Sequence, residues 1–463
     1  MRSLGGIHAA LTALAAAGVA TAATSPYKID TADNIKQAAS TVAWDMLQYY
    51  HGNESGNVPG ILPGPPPAGD YYWWEGGAMW GTLLDYWALT GDETYNSLIS
   101  QALLFQVGDH ADYMPLNYTL SLGNDDQGFW GMSAMLAAEN KFPDPPSDQP
   151  QWLALAQAVF NTMADPLRHD SVCGGGMRWQ IPSTNKGYNY KNSIANGCFF
   201  NIGARLARYT KNQTYADWAD KTWDWMVGVG LMGPEDEVYD GGHVEYNCTD
   251  INKAEFSYNN AVFLLGSAYM WNYTEDQKWK DRVNKLTDHG IATFFPDNVA
   301  YEPTCEDYLS CTTDMKSFKG YLHRWYATAT KVAPFITDKV LPVLRLSTEA
   351  AITTCTGGAL GRQCGFDWKN RTFDNNIGAG QQMNVLGALS SLLINNTAGP
   401  VSADTGGTSQ GNPNAGSKSD DFRPTPKPVT AGDRAGAAIL TILVVGAATA
   451  LFIWISMGEN GSA

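Results

Sequence analysis

The chain has 463 residues, of which 46 are Asp or Glu and 30 are Lys or Arg, so its formal charge is −16. Charged residues make up 16% and apolar ones 44%, which excludes a disordered polyelectrolyte, and the acidic balance argues against nucleic acid, whose phosphates need a surplus of Lys and Arg. The anomaly is 16 Trp, 22 Tyr and 16 Phe: either a helical core packed on aromatics, or a cleft whose rings stack on the apolar faces of sugars.

At the N-terminus, Arg2, a small apolar run from Ile7 to Val19 and the triplet Ala20-Thr21-Ala22 predict a secretory signal peptide over residues 1–23. Residues 24–396 carry helical rather than alternating apolar spacing. A short polar turn with a Thr recurs after small-residue helices, at Thr90, Thr210 and Thr274, with further junctions near 141–149 and 336–338. This predicts six helical hairpins: 31–50 with 75–89, 93–108 with 125–140, 151–164 with 192–209, 214–228 with 258–272, 277–293 with 317–331, and 338–352 with 375–394. The second helix of each pair is rich in Ala, Gly and Leu, which suits a crowded inner ring. The expected fold is all-α, a single (α/α)6 toroid. Long Gly/Pro-rich segments precede several inner helices and are expected to gather at one mouth as a binding surface.

Seven sequons in the body of the chain, at Asn53, Asn117, Asn212, Asn247, Asn272, Asn370 and Asn395, fit an exported glycoprotein. Cys305/Cys311 and Cys355/Cys364 are close enough to pair locally, Cys173 is assigned to Cys248, and Cys198 is left free in an apolar helix. Residues 397–434 read as an unfolded Gly/Ser/Pro-rich stalk. Residues 435–463 carry an apolar run long enough to span a bilayer. No Lys or Arg follows that run, which favours a GPI-attachment signal over a transmembrane helix. The expected location is the cell surface, anchored in the plasma membrane or cell wall.

The chemistry is expected at the mouth of the second inner helix, Gly123-Asn124-Asp125-Asp126-Gln127-Gly128-Phe129-Trp130. One Asp at a helix start caps it and another favours its dipole, but Asn124 is available as the cap and aromatics follow at once. Two consecutive carboxyls suit the separation of about 5–5.5 Å used by retaining glycosidases, whereas an inverting pair needs a wider gap. Like charges so close also split their titrations, leaving one ionised and one protonated. Asp125 and Asp126 are therefore the catalytic candidates. Sugar contacts are expected from Trp74, Glu75, Asn124, Trp130, Trp179, Asn192, Asp240, Asn259 and Arg324. No His pair at metal spacing exists, so His243 and His323 are read as hydrogen-bonding residues and no metal is expected. The run Gly174-Gly175-Gly176 lacks the Lys of a phosphate loop, and no cofactor is expected.

The blocks Asn124-Asp125-Asp126-Gln127, Tyr72-Trp73-Trp74-Glu75-Gly76-Gly77-Ala78-Met79-Trp80 and Tyr258-Asn259-Asn260 resemble glycoside hydrolase family 76, and within it the fungal GPI-anchored members related to endo-1,6-α-mannosidase. The likeness runs over about residues 26–396. It implies an (α/α)6 barrel and retaining action on α-1,6-linked mannose, with Asp125 as nucleophile and Asp126 as acid/base, roles that residue type alone leaves exchangeable. It further implies an α-1,6-mannan or GPI-core glycan donor, wall β-glucan as acceptor, and a role in cross-linking GPI glycoproteins to the fungal wall. A mannan-binding lectin or structural wall protein is the alternative, since stacking aromatics suffice for binding.

Overall fold

The computed structural model describes residues 24–416 and 430–458, in two compact units divided at Ser417/Lys418. In the first unit the helices are α1 (Ala32–Leu47), α2 (Trp73–Thr90), α3 (Asn96–Phe105), α4 (Asn124–Glu139), α5 (Trp152–Met163) and α6 (Ser193–Thr210). They continue with α7 (Gln213–Val229), α8 (Ser257–Thr274), α9 (Gln277–Phe294), α10 (Phe318–Val332), α11 (Thr337–Thr353) and α12 (Ala379–Ser391). Each even-numbered helix packs on the next, and α12 returns to pack on α2. The inner ring is thus closed, and the odd-numbered helices lie outside it: an (α/α)6 barrel.

Burial explains which helix goes where. The outer α9 buries only a stripe, Trp279, Val283, Leu286, Thr287, Gly290 and Phe294, and starts on a cap in which Asp276 accepts from the Lys278 N–H at 3.0 Å. The inner α4 is buried on every side from Gln127 to Glu139, as a helix apolar all round must be. Such crowding needs small residues. A Cβ on Gly77 of α2 would lie 2.8 Å from the Trp130 ring of α4.

Two boundaries differ from the periodicity. Helix α3 is shorter than 93–108 because the Asp92 carboxylate accepts from the Thr94 N–H at 2.9 Å and holds a turn there. Helix α12 starts at Ala379 rather than 375, since Asn375 takes a left-handed φ of 59°. The loops before α6 and α8 also form a sheet that no alternation announced: β1 (Tyr190–Asn192), β2 (Tyr239–His243) and β3 (Asn252–Glu255), antiparallel in that order, with Lys191 opposite Gly242. All three expected disulfides form, and Cys198 is free and buried.

The stalk begins later than expected. Residues 397–416 are strapped to the barrel. The Val401 N–H donates to Glu139 O (2.8 Å), Arg208 donates to Pro400 O and Val401 O (2.8 and 3.0 Å), Ser409 Oγ accepts from the Leu153 N–H (3.0 Å), and Asn161 donates to Pro413 O and Ala415 O (2.9 and 2.7 Å). The polar composition that reads as unfolded here supplies backbone partners to the outer surface. In the second unit α13 (Ala431–Gly458) contains Arg434–Ile453, with mean hydropathy 2.4, long and apolar enough to cross a bilayer. The signal-peptide segment 1–23 lies outside the described residues.

Candidate active site

The floor of the main cleft is the first turn of α4. Its N-cap is Gly123, not Asn124, and the Asp126 carboxylate reaches back to accept from the Gly123 N–H at 2.5 Å. A Cβ at Gly123 would sit 2.3 Å from Asp125 Oδ1, so a side chain at this position would push the Asp125 carboxylate aside. The segment carrying Trp179 is pinned alongside, with the Asn124 N–H donating to Trp179 O (2.8 Å) and the Ile181 N–H to Leu122 O (3.1 Å). Asp125 Oδ1 accepts from the Asp126 N–H at 3.1 Å, and its carboxylate also receives a hydrogen bond from the Trp179 side chain.

Around this pair opens a cleft of about 790 Å³. Trp74, Phe129, Trp179 and Tyr258 wall it, and Tyr258 stacks on Phe318 with centroids 3.8 Å apart. The cleft is acidic. Burial pushes Asp125 up to about 7, opposed by its hydrogen bonds. Burial and then the Asp125 charge push Asp126 well above the usual carboxyl range. Asp314 also faces the cleft; it accepts from Trp74 Nε1 at 3.2 Å and burial raises it to about 6. Asp240 is raised by burial and holds Tyr190 Oη (2.7 Å) and Asn252 Nδ2 (3.1 Å) on its Oδ2.

Of the expected site residues, Asp125, Asp126, Trp74, Trp179, Asn192 and Asp240 line this cleft. Asn192 also caps α6, accepting from the Ala195 N–H at 3.3 Å. The other five do not line it. Glu75 is buried and caps α2 through the Tyr72 N–H (2.8 Å). Asn124 ties Arg168 Nη1 (2.7 Å) to Arg178 O (2.8 Å). Trp130 is buried and stacks on Trp73 at 4.9 Å. Asn259 is buried with no hydrogen bond to its side chain among the described residues. Arg324 lies two turns inside α10 and pairs with Asp85 at 2.6 Å. Glu75, Asn124 and Asn259 start their helices but are buried, and Trp130 and Arg324 lie farther along theirs, buried too. Asp314 is the residue that sequence reasoning missed, although it precedes α10 just as Asp125 opens α4, so the rule of polar inner-helix mouths contains the signal. His323, fully buried, bridges Lys319 O (2.7 Å) and Ser347 Oγ (3.0 Å), and burial holds it at about 4. His243 pairs with Asp250 at 2.7 Å.

The profile of glycosyl hydrolase family 76 matches residues 34–404. The chain belongs to glycosyl hydrolase family 76. A Saccharomyces cerevisiae family relative, mannan endo-1,6-alpha-mannosidase DCW1, is 42% identical over 430 residues, covering 92% of this chain and 94% of that one. The crystal structure of Dfg5 from Chaetomium thermophilum in complex with glucosamine is 61% identical, covers 84% of this chain and 97% of that one, and superposes with a TM-score of 0.83. An inactive α-1,6-mannanase variant of Salegentibacter, GH76A, with two adjacent aspartates changed to asparagine, was solved with α-1,6-mannotriose. At 17% identity, covering 78% of this chain and 99% of that one, with a TM-score of 0.63, it shows the shared fold. Family 76 membership makes this chain a glycoside hydrolase.

Proposed function

We propose that this chain is a retaining endo-α-1,6-mannosidase whose nucleophile is Asp125 and whose acid/base is Asp126. The observation that carries the reading is the adjacent carboxyl pair on the floor of an aromatic-walled cleft in a family 76 barrel, beside relatives named for this activity. The environments support the order of roles. Hydrogen bonds from the Asp126 N–H and from Trp179 stabilise an ionised Asp125, while burial and the Asp125 charge keep a proton on Asp126.

In the first step the Asp125 carboxylate attacks the anomeric carbon. The glycosidic C–O bond breaks as Asp126 gives its proton to the departing sugar oxygen, leaving a mannosyl ester on Asp125. In the second step Asp126, now ionised, takes a proton from the incoming hydroxyl, which attacks the same carbon and frees Asp125. Whether that hydroxyl belongs to water or to a sugar decides between hydrolysis and transfer. We favour transfer of a GPI-type mannose-containing glycan onto wall β-glucan, because the cleft has room and aromatic surface beyond one sugar, and a GPI anchor attached in exchange for the apolar tail that includes α13 would hold the enzyme beside the wall.

The test is mass spectrometry of products from a fluorescent α-1,6-mannose-containing glycan, with and without β-glucan oligosaccharides. Heavier products are expected with acceptor and shortened ones without it. Asp125→Asn and Asp126→Asn should each lower turnover by about 10²–10⁴-fold. Full activity in both variants overturns the catalytic assignment, and shortened products alone overturn transfer.

A further inference from the structure

A second groove, of about 610 Å³, lies outside the catalytic cleft between α7 and the turn of residues 169–176. Trp218 and Trp225 line its helical side, and Cys173 with the three glycines 174–176 forms the opposite wall. This wall is fixed in place. Lys191 Nζ, fully buried, donates to Asp170 Oδ1 (2.8 Å) and to the carbonyls of Val172 (2.8 Å), Gly175 (2.7 Å) and Gly176 (3.0 Å). Trp225 Nε1 donates to Cys173 O at 3.0 Å, which sets the plane of the indole. Gly174, Gly175 and Gly176 all have positive φ (73°, 121° and 73°), and a Cβ on Gly176 would lie 2.3 Å from the Trp225 ring. A Cβ on Gly174 or Gly228, both lining the groove, would meet no atom within 4 Å. The space is therefore open and its walls are rigid.

Asn247, in the sequon Asn247-Cys248-Thr249, is tied to Cys173 of the groove wall. Cys248 is bonded to Cys173, and Asn247 Oδ1 accepts from the Cys173 N–H at 2.9 Å. The carboxamide is thereby held by its Oδ1 to the backbone of a wall residue, while Asn247 is exposed and its Nδ2 has no partner among the described residues. Asn272 contrasts with it: its Nδ2 donates to Val332 O (3.1 Å) and its Oδ1 accepts from Arg208 Nε (2.7 Å), so that sequon is spent on joining helices.

We propose that Asn247 carries an N-linked glycan and that its first sugars lie in the groove against Trp225. Three disulfides fit maturation in an oxidising compartment, where oligosaccharides are supplied on polyprenyl diphosphates. There the Asn247 Nδ2 attacks the anomeric carbon of the oligosaccharide, the C1–O bond to the diphosphate breaks, the diphosphate leaves with the electron pair, and Nδ2 loses one proton. The N-acetylglucosamine so attached presents an apolar ring face and polar edges, which suit an indole flanked by Ser171, Asp224 and Lys221.

The test uses the full chain expressed in a glycosylating eukaryotic host. Glycopeptide mass spectrometry should find Asn247 occupied. Release of that glycan by peptide N-glycosidase should be about tenfold slower from native protein than from protein unfolded in urea. Trp225→Ala should remove that protection. So should Gly228→Gln, which fills open space and improves helix propensity, and activity on an α-1,6-mannose oligosaccharide, retained in both variants, reports that they fold. An unmodified Asn247, or native release as fast as from unfolded protein, overturns the proposal. So does protection that persists in both folded variants.

Discussion

Asp314 shows how one side chain sets the working range of its neighbours. Its negative charge raises both Asp125 and Asp126, because each must ionise beside an existing charge. Asp314→Asn keeps an oxygen for Trp74 Nε1 and removes the charge, so both carboxyls should ionise more easily and both limbs of the kcat/KM profile should move to lower pH, by roughly 1 unit. A profile that stays in place, measured on a defined α-1,6-mannose oligosaccharide, would show that the three carboxyls do not communicate. The Asp125–Asp126 pair was legible in the sequence because both partners are neighbours in the chain. Asp314 carried only the general signal of an inner-helix mouth, because what brings it to Trp74, 240 residues away in sequence, is the closure of α10 onto the ring.

At the scale of elements, helical spacing revealed the hairpins because inner and outer helices bury different fractions of their surface. It did not reveal which side of an inner helix meets the cleft, since a helix buried all round has no polar face to orient it. Trp130 and Trp179 illustrate the difference. Both stand beside the Asp125–Asp126 pair, yet Trp130 packs in the ring between Trp73 and Tyr113, with centroids 4.9 and 5.5 Å away, while Trp179 is 37% exposed at the cleft. Trp130→Ala should therefore cost about 3–5 kcal/mol of stability, read by denaturant unfolding. Trp179→Ala should leave the unfolding midpoint nearly unchanged while raising KM and lowering kcat. The β1–β2–β3 sheet escaped notice for a similar reason. Its central strand carries Gly241 and Gly242, which have no side chains to alternate, and Gly241 is needed because a Cβ there would lie 2.5 Å from the Tyr190 ring.

The whole barrel is held by long-range closures rather than by any one hairpin. The strap of residues 397–416 is one of them, and composition hid it because Gly, Ser and Asn that bond through backbone look the same as those that bond to water. Each of its hydrogen bonds contributes about 1 kcal/mol, and no strap residue lines the cleft. A chain ending at residue 396 should melt several degrees lower by calorimetry and retain its kinetic constants on mannose oligosaccharides; an unchanged Tm would make the strap an ornament of packing.

The packing of α12 on α2 has a further meaning during synthesis. Until residues 379–391 emerge, the ring is an open arc with two unpaired flanks, and the cleft among the mouths of α2, α4, α8 and α10 has no fixed diameter. Contacts spanning almost the full chain form late and slowly. The last inner helix contributes no wall to the cleft, yet by closing the ring it fixes where Asp314, before α10, stands relative to the pair on α4. A ribosome-bound fragment that already contains Asp125, Asp126 and Asp314 but ends before Ala379 is therefore expected to be inactive, with activity arising once residues 379–391 have emerged.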